Sequence, residues 1–309
     1  MKGRVIKSTG SWYKVQNQDL EVFDCRVRGK FRTKGIKTTN PLSVGDWVEF
    51  DFDSEHNAGI IHKLYERENY VIRKSVNLSK QAHIIAANLD QSLLIVTLVE
   101  PPTSHGFIDR FLVSSEAYGV PVILVFNKTD LYDESALDEL EFRMLMYRSM
   151  GYKCFSTSVE DGSGIEDLKA ELKDKTTLFS GHSGVGKSSM INAIQPGLGL
   201  KTKEISVSHS MGQHTTTFAE LFNLEIGGSL IDTPGIKGFG MVDMHLEDVP
   251  NYFRDFFKLL PDCKFHNCKH INEPGCAVLE AIENNRLSPT RYQSYLSIIE
   301  ELQEQGPYR

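Results

Sequence analysis

The sequence predicts a multidomain α/β protein made of three consecutive parts. Residues 1–67 contain short β-type segments separated by glycines, and residues 68–245 alternate apolar strand-like runs with helical periodicity. Residues 246–309 combine helical periodicity with a cluster of cysteine and histidine. The chain has 309 residues, 40% of them apolar, which is enough for more than one core. We therefore expect a β-barrel, an α/β domain with a parallel sheet, and a helical C-terminal domain.

Composition favours a soluble, cytosolic protein that does not enter membranes. No apolar run approaches the length that crosses a bilayer, and residues 1–4 lack the apolar stretch of a signal peptide. The net charge of −7 argues against a protein that coats nucleic acid uniformly. The charge is uneven, however, because residues 1–67 hold 12 basic and 9 acidic residues. Nothing in the composition demands more than a monomer.

The first part is predicted to be a five-stranded barrel of the OB type. Segments rich in β-formers lie at residues 5–6, 12–15, 21–27 and 46–50, and this spacing favours a small barrel. Between residues 26 and 37, six of twelve residues are basic and none is acidic. Such a segment is either a solvated loop or an arm that contacts the phosphates of an oligonucleotide, and we favour the arm. Its basic residues are Arg26, Arg28, Lys30, Arg32, Lys34 and Lys37, with Phe31 as a stacking face.

The central part contains a phosphate-binding loop at residues 181–188, which read GHSGVGKS. A strand-like run at 176–179 precedes the loop and a helical segment follows it, which is the context that such a loop requires. Its glycines let the backbone approach a triphosphate, and the helix N-terminus attracts the anion. We expect Lys187 to reach the β- and γ-phosphates and Ser188 to bind Mg²⁺. The predicted nucleotide-binding residues here are Gly181, His182, Ser183, Gly184, Val185, Gly186, Lys187, Ser188 and Ser189.

A base-reading motif is predicted where the apolar strand at residues 120–126 ends. The carboxylate of Asp130 can accept two parallel hydrogen bonds from guanine, and adenine offers no such pair of donors. Asn127 would bind another edge of the base or tie this loop to the phosphate loop, and the Lys128 stem would lie over the base. A polar turn after a third strand would place backbone N–H groups against the base carbonyl. The predicted residues are Asn127, Lys128, Thr129, Asp130 and Ser156.

Two downstream segments are predicted to complete a triphosphate site. Residues 212–217 read GQHTTT, and one of the three threonines is a candidate ligand of Mg²⁺; we name Thr216, although the residues alone do not distinguish it from its neighbours. Asp232 follows a strand-like run and can hold Mg²⁺ through a water, and the N–H of Gly235 can contact the γ-phosphate. Ligands bind at the carboxyl ends of strands in open α/β sheets, so these motifs can meet at one site.

The C-terminal part carries a zinc pattern formed by Cys263, Cys268, His270 and Cys276. Three thiolates and one imidazole match a closed, four-coordinate structural zinc site, which leaves no open position for catalysis. A segment of this size can bury only a small hydrophobic core, so a bound metal ion is a physically reasonable way to stabilise its fold. His266 is a competing ligand.

The order of the motifs is unusual, because the base motif at 127–130 precedes the phosphate loop at 181–188. With the zinc pattern, this order resembles the RsgA (YjeQ/YloQ) family of circularly permuted P-loop GTPases over the whole chain. The resemblance implies an OB-fold RNA-binding domain at 1–67, a permuted GTPase domain at 68–245 and a helical zinc-binding domain at 246–309. It also favours His270 over His266 as the zinc ligand.

The same resemblance implies the activity and its partners. The protein would hydrolyse GTP to GDP and phosphate, with Mg²⁺ as cofactor of the reaction and one structural Zn²⁺. It would bind the small ribosomal subunit and its rRNA late in maturation, and the particle would stimulate hydrolysis.

The residue that positions the attacking water is not identified by any motif. Many GTPases have a glutamine where Ile236 stands, and an apolar side chain cannot orient water, so intrinsic hydrolysis should be slow. The resemblance implies a histidine further along this loop, but Asp243 occupies that position. His245, two residues later, and His214 are the candidates, and each is equally compatible with a solvated surface histidine.

Two alternatives to a GTPase remain open from the residues alone. A P-loop kinase for a small molecule or nucleoside would leave the motif at 127–130 without a role. An RNA-binding module with a structural nucleotide would agree with Ile236. Preference for guanine over adenine distinguishes the first alternative, and turnover distinguishes the second.

Overall fold

The computed structural model describes residues 1–28, 40–54, 57–74, 82–200, 219–233, 241–242 and 244–304. These ranges contain thirteen β-strands and seven α-helices. Most of the predicted basic arm lies outside the described residues. So do three residues predicted for the nucleotide site, His214, Thr216 and Gly235, and the two positions that lack the expected catalytic side chain, Ile236 and Asp243.

The N-terminal region is a closed five-stranded barrel, as the spacing of its β-type segments predicts. Its strands run in the order β1-β2-β3-β5-β4, and β4 pairs back onto β1. All neighbouring pairs are antiparallel except β3 and β5, which are parallel. Alternating residues point inward and form a compact core that includes Val5, Val15, Phe50 and Ile61. The strands are β1 Lys2–Ser8, β2 Tyr13–Asn17, β3 Val22–Val27, β4 Trp47–Asp53 and β5 Ala58–Leu64.

The central region begins with an antiparallel pair, β6 Tyr70–Lys74 and β7 Ala82–Ala87. A mainly parallel sheet follows, in the order β10-β9-β8-β11-β13-β12, in which only β12 runs antiparallel to its neighbour. Its strands are β8 Gln91–Val96, β9 Val122–Phe126, β10 Lys153–Ser156, β11 Thr176–Ser180, β12 Glu220–Asn223 and β13 Ser229–Asp232. Its helices are α1 His105–Ala117, α2 Glu134–Ser149, α3 Ile165–Leu172 and α4 Lys187–Ile194.

Helices cover both faces of this sheet, which explains why its four inner strands, β8, β9, β11 and β13, are buried throughout. Alternate residues of a strand point to opposite faces. In β8, Leu94 and Val96 belong to the core that contains residues of α1 and α2. Leu93 and Ile95 belong instead to the core that contains residues of α3 and α4. The central region is therefore a three-layer α/β domain.

Two joints connect this domain to its neighbours. The barrel strand β1 pairs with β12 at Lys7 and Glu220, so barrel and central sheet form one continuous sheet of eleven strands. The C-terminal helices are α5 Arg254–Leu259, α6 Ala277–Glu283 and α7 Pro289–Glu304, and α7 packs against α1. Within the described ranges, no helix combines the length and the apolar character needed to cross a membrane.

Candidate nucleotide site and metal centre

Three predicted motifs lie at the same edge of the central sheet. The base motif follows β9, the phosphate loop follows β11, and Asp232 is the last residue of β13. These strands are parallel to one another, with β8 between β9 and β11, so their carboxyl ends lie at one edge. This is where ligands bind in open α/β sheets.

Asn127 links the base motif directly to the phosphate loop. Its side-chain amide is buried, and Nδ2 donates a hydrogen bond to the carbonyl oxygen of Val185 at 2.9 Å. Its Oδ1 accepts one from Oγ1 of Thr157 at 3.0 Å. Of the two contacts expected for Asn127, the structure thus contains the tie between the loops. This tie places the base motif and the phosphate loop in one rigid unit.

Asp130 is exposed at the rim of the site, but its carboxylate is oriented by a buried hydroxyl. Oγ of Ser158 donates to Oδ1 of Asp130 at 2.6 Å, and Ser158 is fully buried. Lys128 has a left-handed backbone conformation, with φ of +64°, and its Nζ donates to the carbonyl of Glu100 at 2.6 Å. Asp130 therefore faces solvent in a fixed orientation, ready to accept hydrogen bonds.

The polar turn after β10 contacts the base motif through the side chains of Thr157 and Ser158. Ser156 is the last residue of β10 and is exposed, whereas Thr157 and Ser158 contact Asn127 and Asp130. β10 neighbours β9 in the parallel sheet, so the turns that follow the two strands meet. That adjacency is the signal that would identify the two hydroxyls, and it comes from topology rather than from the sequence.

The phosphate loop is closed upon itself by its lysine. Nζ of Lys187 donates to the carbonyls of Gly181 at 2.8 Å and His182 at 2.7 Å. Burial lowers the pKa of Lys187 to about 8, and the opposing attraction of Asp232 raises it less. An anion near Nζ would restore a normal pKa, so the buried ammonium is poised to bind a polyanion.

Gly186 is required by both conformation and space. Its φ is +94°, which is unfavourable for residues with a Cβ, and a Cβ there would lie 2.5 Å from Nδ2 of Asn127. The close approach lets Asn127 reach the carbonyl of Val185. Ser188 and Ser189 follow in the first turn of α4, where backbone N–H groups are available to an anion.

Aromatic side chains that belong to no sequence motif pack against the two loops. The ring of Phe107, in the first turn of α1, lies against the imidazole of His182, with centroids 3.7 Å apart. The hydroxyl of Tyr132 donates to the carbonyl of Asn127 at 2.9 Å and accepts from the N–H of Leu98 at 2.9 Å. These residues stabilise the loop conformations from the side of α1.

The predicted magnesium side of the site is described in part. The carboxylate of Asp232 is buried at the end of β13, and the hydroxyl of Thr233 donates to the carbonyl of Phe179 at 2.8 Å. His245 is exposed, and its carbonyl accepts a hydrogen bond from the N–H of Asp248. Among the described residues, no hydrogen bond or ion pair links the His245 side chain to the phosphate loop.

The predicted zinc ligands meet in the C-terminal region. One donor atom from each of Cys263, Cys268, His270 and Cys276 lies within 4.8 Å of every other. Nδ1 of His270 is 3.7 Å from Sγ of Cys263 and 3.3 Å from Sγ of Cys276. Donors around a tetrahedral zinc are separated by about 3.3–3.8 Å, so these distances fit a zinc ion.

The surroundings of this cluster also agree with a cation. Burial raises the pKa of Cys268 to about 12, so a positive ion is needed to hold its thiolate at neutral pH. His270 is fully buried, and the hydroxyl of Tyr292 donates to its carbonyl at 2.9 Å. His266, the competing ligand, is exposed and outside the cluster. The donor set therefore consists of three thiols and one imidazole, as in structural zinc sites.

Comparison with known proteins places these features in one family. The family model described as RsgA GTPase matches residues 64–242, and that of the RsgA N-terminal domain matches residues 2–61. A protein of Flavobacterium psychrophilum named small ribosomal subunit biogenesis GTPase RsgA is 55% identical, covering 97% of this chain and 93% of its own. One of Bacteroides thetaiotaomicron named small ribosomal subunit biogenesis GTPase RsgA 2 is 53% identical, covering 100% and 99%.

Solved structures give the same result. The crystal structure of YjeQ from Thermotoga maritima is 36% identical and has a TM-score of 0.76, covering 97% of this chain and 98% of its own. That of YloQ, a circularly permuted GTPase, is 31% identical with a TM-score of 0.74, covering 100% and 96%. These matches favour a GTP hydrolase over the kinase and the module with a structural nucleotide. The chain belongs to the RsgA family of circularly permuted GTPases.

Proposed function

We propose that this chain hydrolyses GTP to GDP and phosphate, binds the small ribosomal subunit and acts late in its maturation. The observation that carries the proposal is the hydrogen bond from Asn127 to the carbonyl of Val185, which joins a base-reading loop to a phosphate loop. Relatives that are more than half identical over nearly their full length are named small ribosomal subunit biogenesis GTPases.

In this proposal, the guanine base is read by the carboxylate of Asp130. Ser158 already occupies one lone pair of Oδ1, which leaves the carboxylate turned toward solvent at the mouth of the site. The ring N–H and the exocyclic amine of guanine would donate to it, while adenine would leave a charge unpaired. The Lys128 stem would cover the base, with Asn127, Thr129 and Ser156 completing the predicted contacts to it.

The phosphates would be held by the loop from Gly181 to Ser189. Lys187 would donate to β- and γ-phosphate oxygens instead of the carbonyls of Gly181 and His182. The phosphate charge would raise the pKa of its buried ammonium again and keep it protonated. Mg²⁺ neutralises phosphate charge when bound, and oxygen donors suit it. Ser188, Thr216 and Asp232, the last through a water, would hold Mg²⁺, and the N–H of Gly235 would contact the γ-phosphate.

Water activation is the step for which this chain is least equipped. Ile236 supplies no polar atom, and His214 and His245 are the proposed catalytic residues. The exposed position of His245 supports a site that is completed only when a bound partner brings this side chain to the nucleotide. Slow intrinsic turnover, raised by the bound particle, follows from that arrangement.

Three domains would divide this work, with limits at residues 1–67, 68–245 and 246–309. The barrel would contact rRNA, and the guanidinium of Arg26 stacked 3.8 Å above the Trp12 ring supports such a surface. The cysteine and histidine cluster would bind one Zn²⁺ and hold the C-terminal domain in shape. The protein would act as a cytoplasmic monomer, away from membranes.

GTP hydrolysis by the purified protein, with and without small ribosomal subunits, tests the proposal. Small subunits should stimulate GTP hydrolysis, whereas large subunits should not, and ATP should not be a substrate. GTP turnover that small subunits leave unchanged would contradict the assembly role while preserving the GTPase.

A single substitution tests the base-reading role of Asp130 separately. In Asp130→Asn, the amide presents one donor and one acceptor, which suits the carbonyl that xanthine carries in place of the amine of guanine. The variant should lose at least about a hundredfold in GTP affinity, as expected for an unpaired polar contact, and should gain affinity for XTP. Asp133→Asn is the matched control, because Asp133 caps α2 and asparagine caps equally well. Unchanged preference for GTP in Asp130→Asn would contradict the assignment.

A further inference from the structure

Helix α2 carries large apolar residues on its exposed side as well as on its buried side. Leu140, Met144 and Tyr147 are buried in the core of the central domain. Among its exposed residues, Leu137 is 47% exposed, Phe142 52% and Leu145 59%. No other α-helix in the described part of the chain exposes more than one large apolar side chain. A surface helix normally places polar residues there, so these three residues require an explanation.

Acidic side chains surround these apolar residues. Glu134, Asp138 and Glu141 are all exposed on the same helix, and no ion pair among the described residues involves them. The two arginines of α2 are turned elsewhere, since Arg143 binds Glu139 and Arg148 donates to the carbonyl of Cys154. We call this surface the α2 outer face; it consists of Glu134, Leu137, Asp138, Glu141, Phe142 and Leu145.

The charge of the α2 outer face restricts what can cover it. Its carboxylates repel the phosphates of RNA and the headgroups of anionic lipids. Its apolar side chains gain free energy only if a partner removes them from water. A segment that presents both apolar and basic side chains satisfies both conditions, and such a segment is a protein.

The position of the face separates it from the basic barrel. α2 packs on β10, which is one edge strand of the central sheet, whereas the barrel joins at β12, on the other side of that sheet. α2 also begins four residues after Asp130, with only a short turn between them. A partner on this face would therefore lie beside the base-reading loop, away from the surface proposed for rRNA.

We propose that the α2 outer face docks a basic, amphipathic segment of a protein of the small ribosomal subunit. The inference rests on the proposed function, since it assumes that the chain binds this particle. It adds a contact with a ribosomal protein to the rRNA contact proposed for the barrel.

A photo-crosslinker at residue 142 tests the identity of the partner. Phe142 is replaced by p-benzoylphenylalanine in the full chain, which is irradiated with purified small subunits and GTP bound. The expected product is a crosslink to a small-subunit protein, identified by mass spectrometry. Glu166 on α3, whose side chain is 84% exposed, is the control position and should give no such product. A crosslink to rRNA or to a second copy of the chain, or none while the chain co-sediments with the particle, overturns the inference.

Charge reversal tests the same surface, because it should weaken binding to a basic protein segment and strengthen binding to RNA. The double variant Asp138→Lys/Glu141→Lys should weaken co-sedimentation with small subunits by about tenfold and leave GTP hydrolysis without particles unchanged. Glu300→Lys/Glu304→Lys on α7 makes the same change in net charge elsewhere. Tighter binding of the α2 variant than of this control would indicate RNA and overturn the inference. If the unaltered chain does not co-sediment at all, the proposed function itself fails, and the inference with it.

Discussion

Arg4 and Arg291 both lie at joints between the central domain and a neighbour, Arg4 partly buried and Arg291 fully buried, but they meet different partners. Arg4, in β1, donates to Thr176 Oγ1 and to the carbonyl of Asn88, each at 2.9 Å. Arg291, in α7, donates to Asp109 at 2.6 Å and lies 3.3 Å from a carboxylate oxygen of Asp255. At the barrel joint Arg4 therefore meets neutral acceptors, and the ion pair of Lys7 with Glu220 is partly exposed, whereas at the C-terminal joint Arg291 meets buried carboxylates.

The pKa values of the two guanidinium groups show the consequence. Burial lowers the pKa of Arg4, and the attraction of Asp90 and Asp46 compensates for only part of this effect. Burial also acts to lower the pKa of Arg291, but Asp109 and Asp255 outweigh it and raise the pKa above its ordinary value. A buried cation with countercharges is costly to remove, because its loss leaves the countercharges buried. The C-terminal joint should therefore tolerate substitution far less than the barrel joint.

Loss of the predicted zinc ion should have the largest effect, and it should destabilise the C-terminal domain and its joint with the central domain. Cys268→Ser takes away one of four predicted zinc ligands, and structural zinc stabilises small domains by about 10–16 kcal/mol in isolated peptides. The variant should lose its zinc and the hydrogen-exchange protection of α5 to α7, while the barrel keeps its own. Cys154→Ser is the control, because that thiol is buried outside the cluster. Full protection of α7 in zinc-free protein would contradict a metal-dependent joint.

Arg291→Met should have the next largest effect. It leaves the carboxylate of Asp109, which is 1% exposed, with the hydroxyl of Tyr147 as its remaining described donor. Breaking a buried ion pair in this way costs about 3–5 kcal/mol in the free energy of unfolding, measured by denaturant titration. The double variant Arg291→Met/Asp109→Asn should recover part of this loss, since it removes the orphaned charge. No recovery in the double variant would show that packing, rather than charge, holds the joint.

Arg4→Met should cost less, about 1–3 kcal/mol, because it leaves neutral acceptors rather than charges without a donor. Part of the cost is offset, since the variant no longer buries a cation whose pKa is already lowered. The same denaturant titration measures it, with Lys7→Ala as a reference that removes only the partly exposed ion pair with Glu220 at the same joint. A loss as large as that of Arg291→Met would break the comparison between the two joints.

The smallest effect should be a dependence of stability on pH at His105, four residues before Asp109 in α1. Burial and then Arg143 lower the pKa of His105, and Asp109 and Glu139 oppose them less. The unfolded chain therefore takes up a proton near pH 6.5 more readily than the folded chain, so stability falls as pH falls below about 6.5. His105→Gln should show a shallower fall between pH 7 and 5 in thermal unfolding. An unchanged slope would place the acid sensitivity elsewhere.

Local patterns in the sequence predict the architecture well. Periodicity and glycine spacing predict the barrel, the parallel strands and the helices, because these depend on which residues alternate between core and water. Helix starts are less accessible: α2 begins at Glu134, three residues before Leu137, since Asp133 caps it by accepting from the N–H of Ala136. The turn preceding an apolar face contains no periodic signal, so its cap is easily missed.

The contacts that assemble the site and the joints are less accessible to sequence. Arg4 and Thr176 are separated by 172 positions, and Arg291 and Asp109 by 182. In the sequence these arginines are indistinguishable from surface cations, because burial is decided by how distant elements pack. The side-chain contacts of Thr157 and Ser158 with the base motif were missed for the same reason, since they form only once β9 and β10 are neighbours.

The sheet order has a consequence for how the chain is made on the ribosome. Strands β8, β9 and β10 are consecutive in the chain and adjacent in the sheet, and so are β11, β12 and β13. Each half of the sheet is therefore synthesised as one uninterrupted block, and the halves join along the seam between β8 and β11. The bond from Asn127 to Val185 crosses that seam. GTP would bridge this seam as well. The first nucleotide bound by a newly synthesised chain would therefore stabilise the contact between two halves of the sheet that leave the ribosome one after the other.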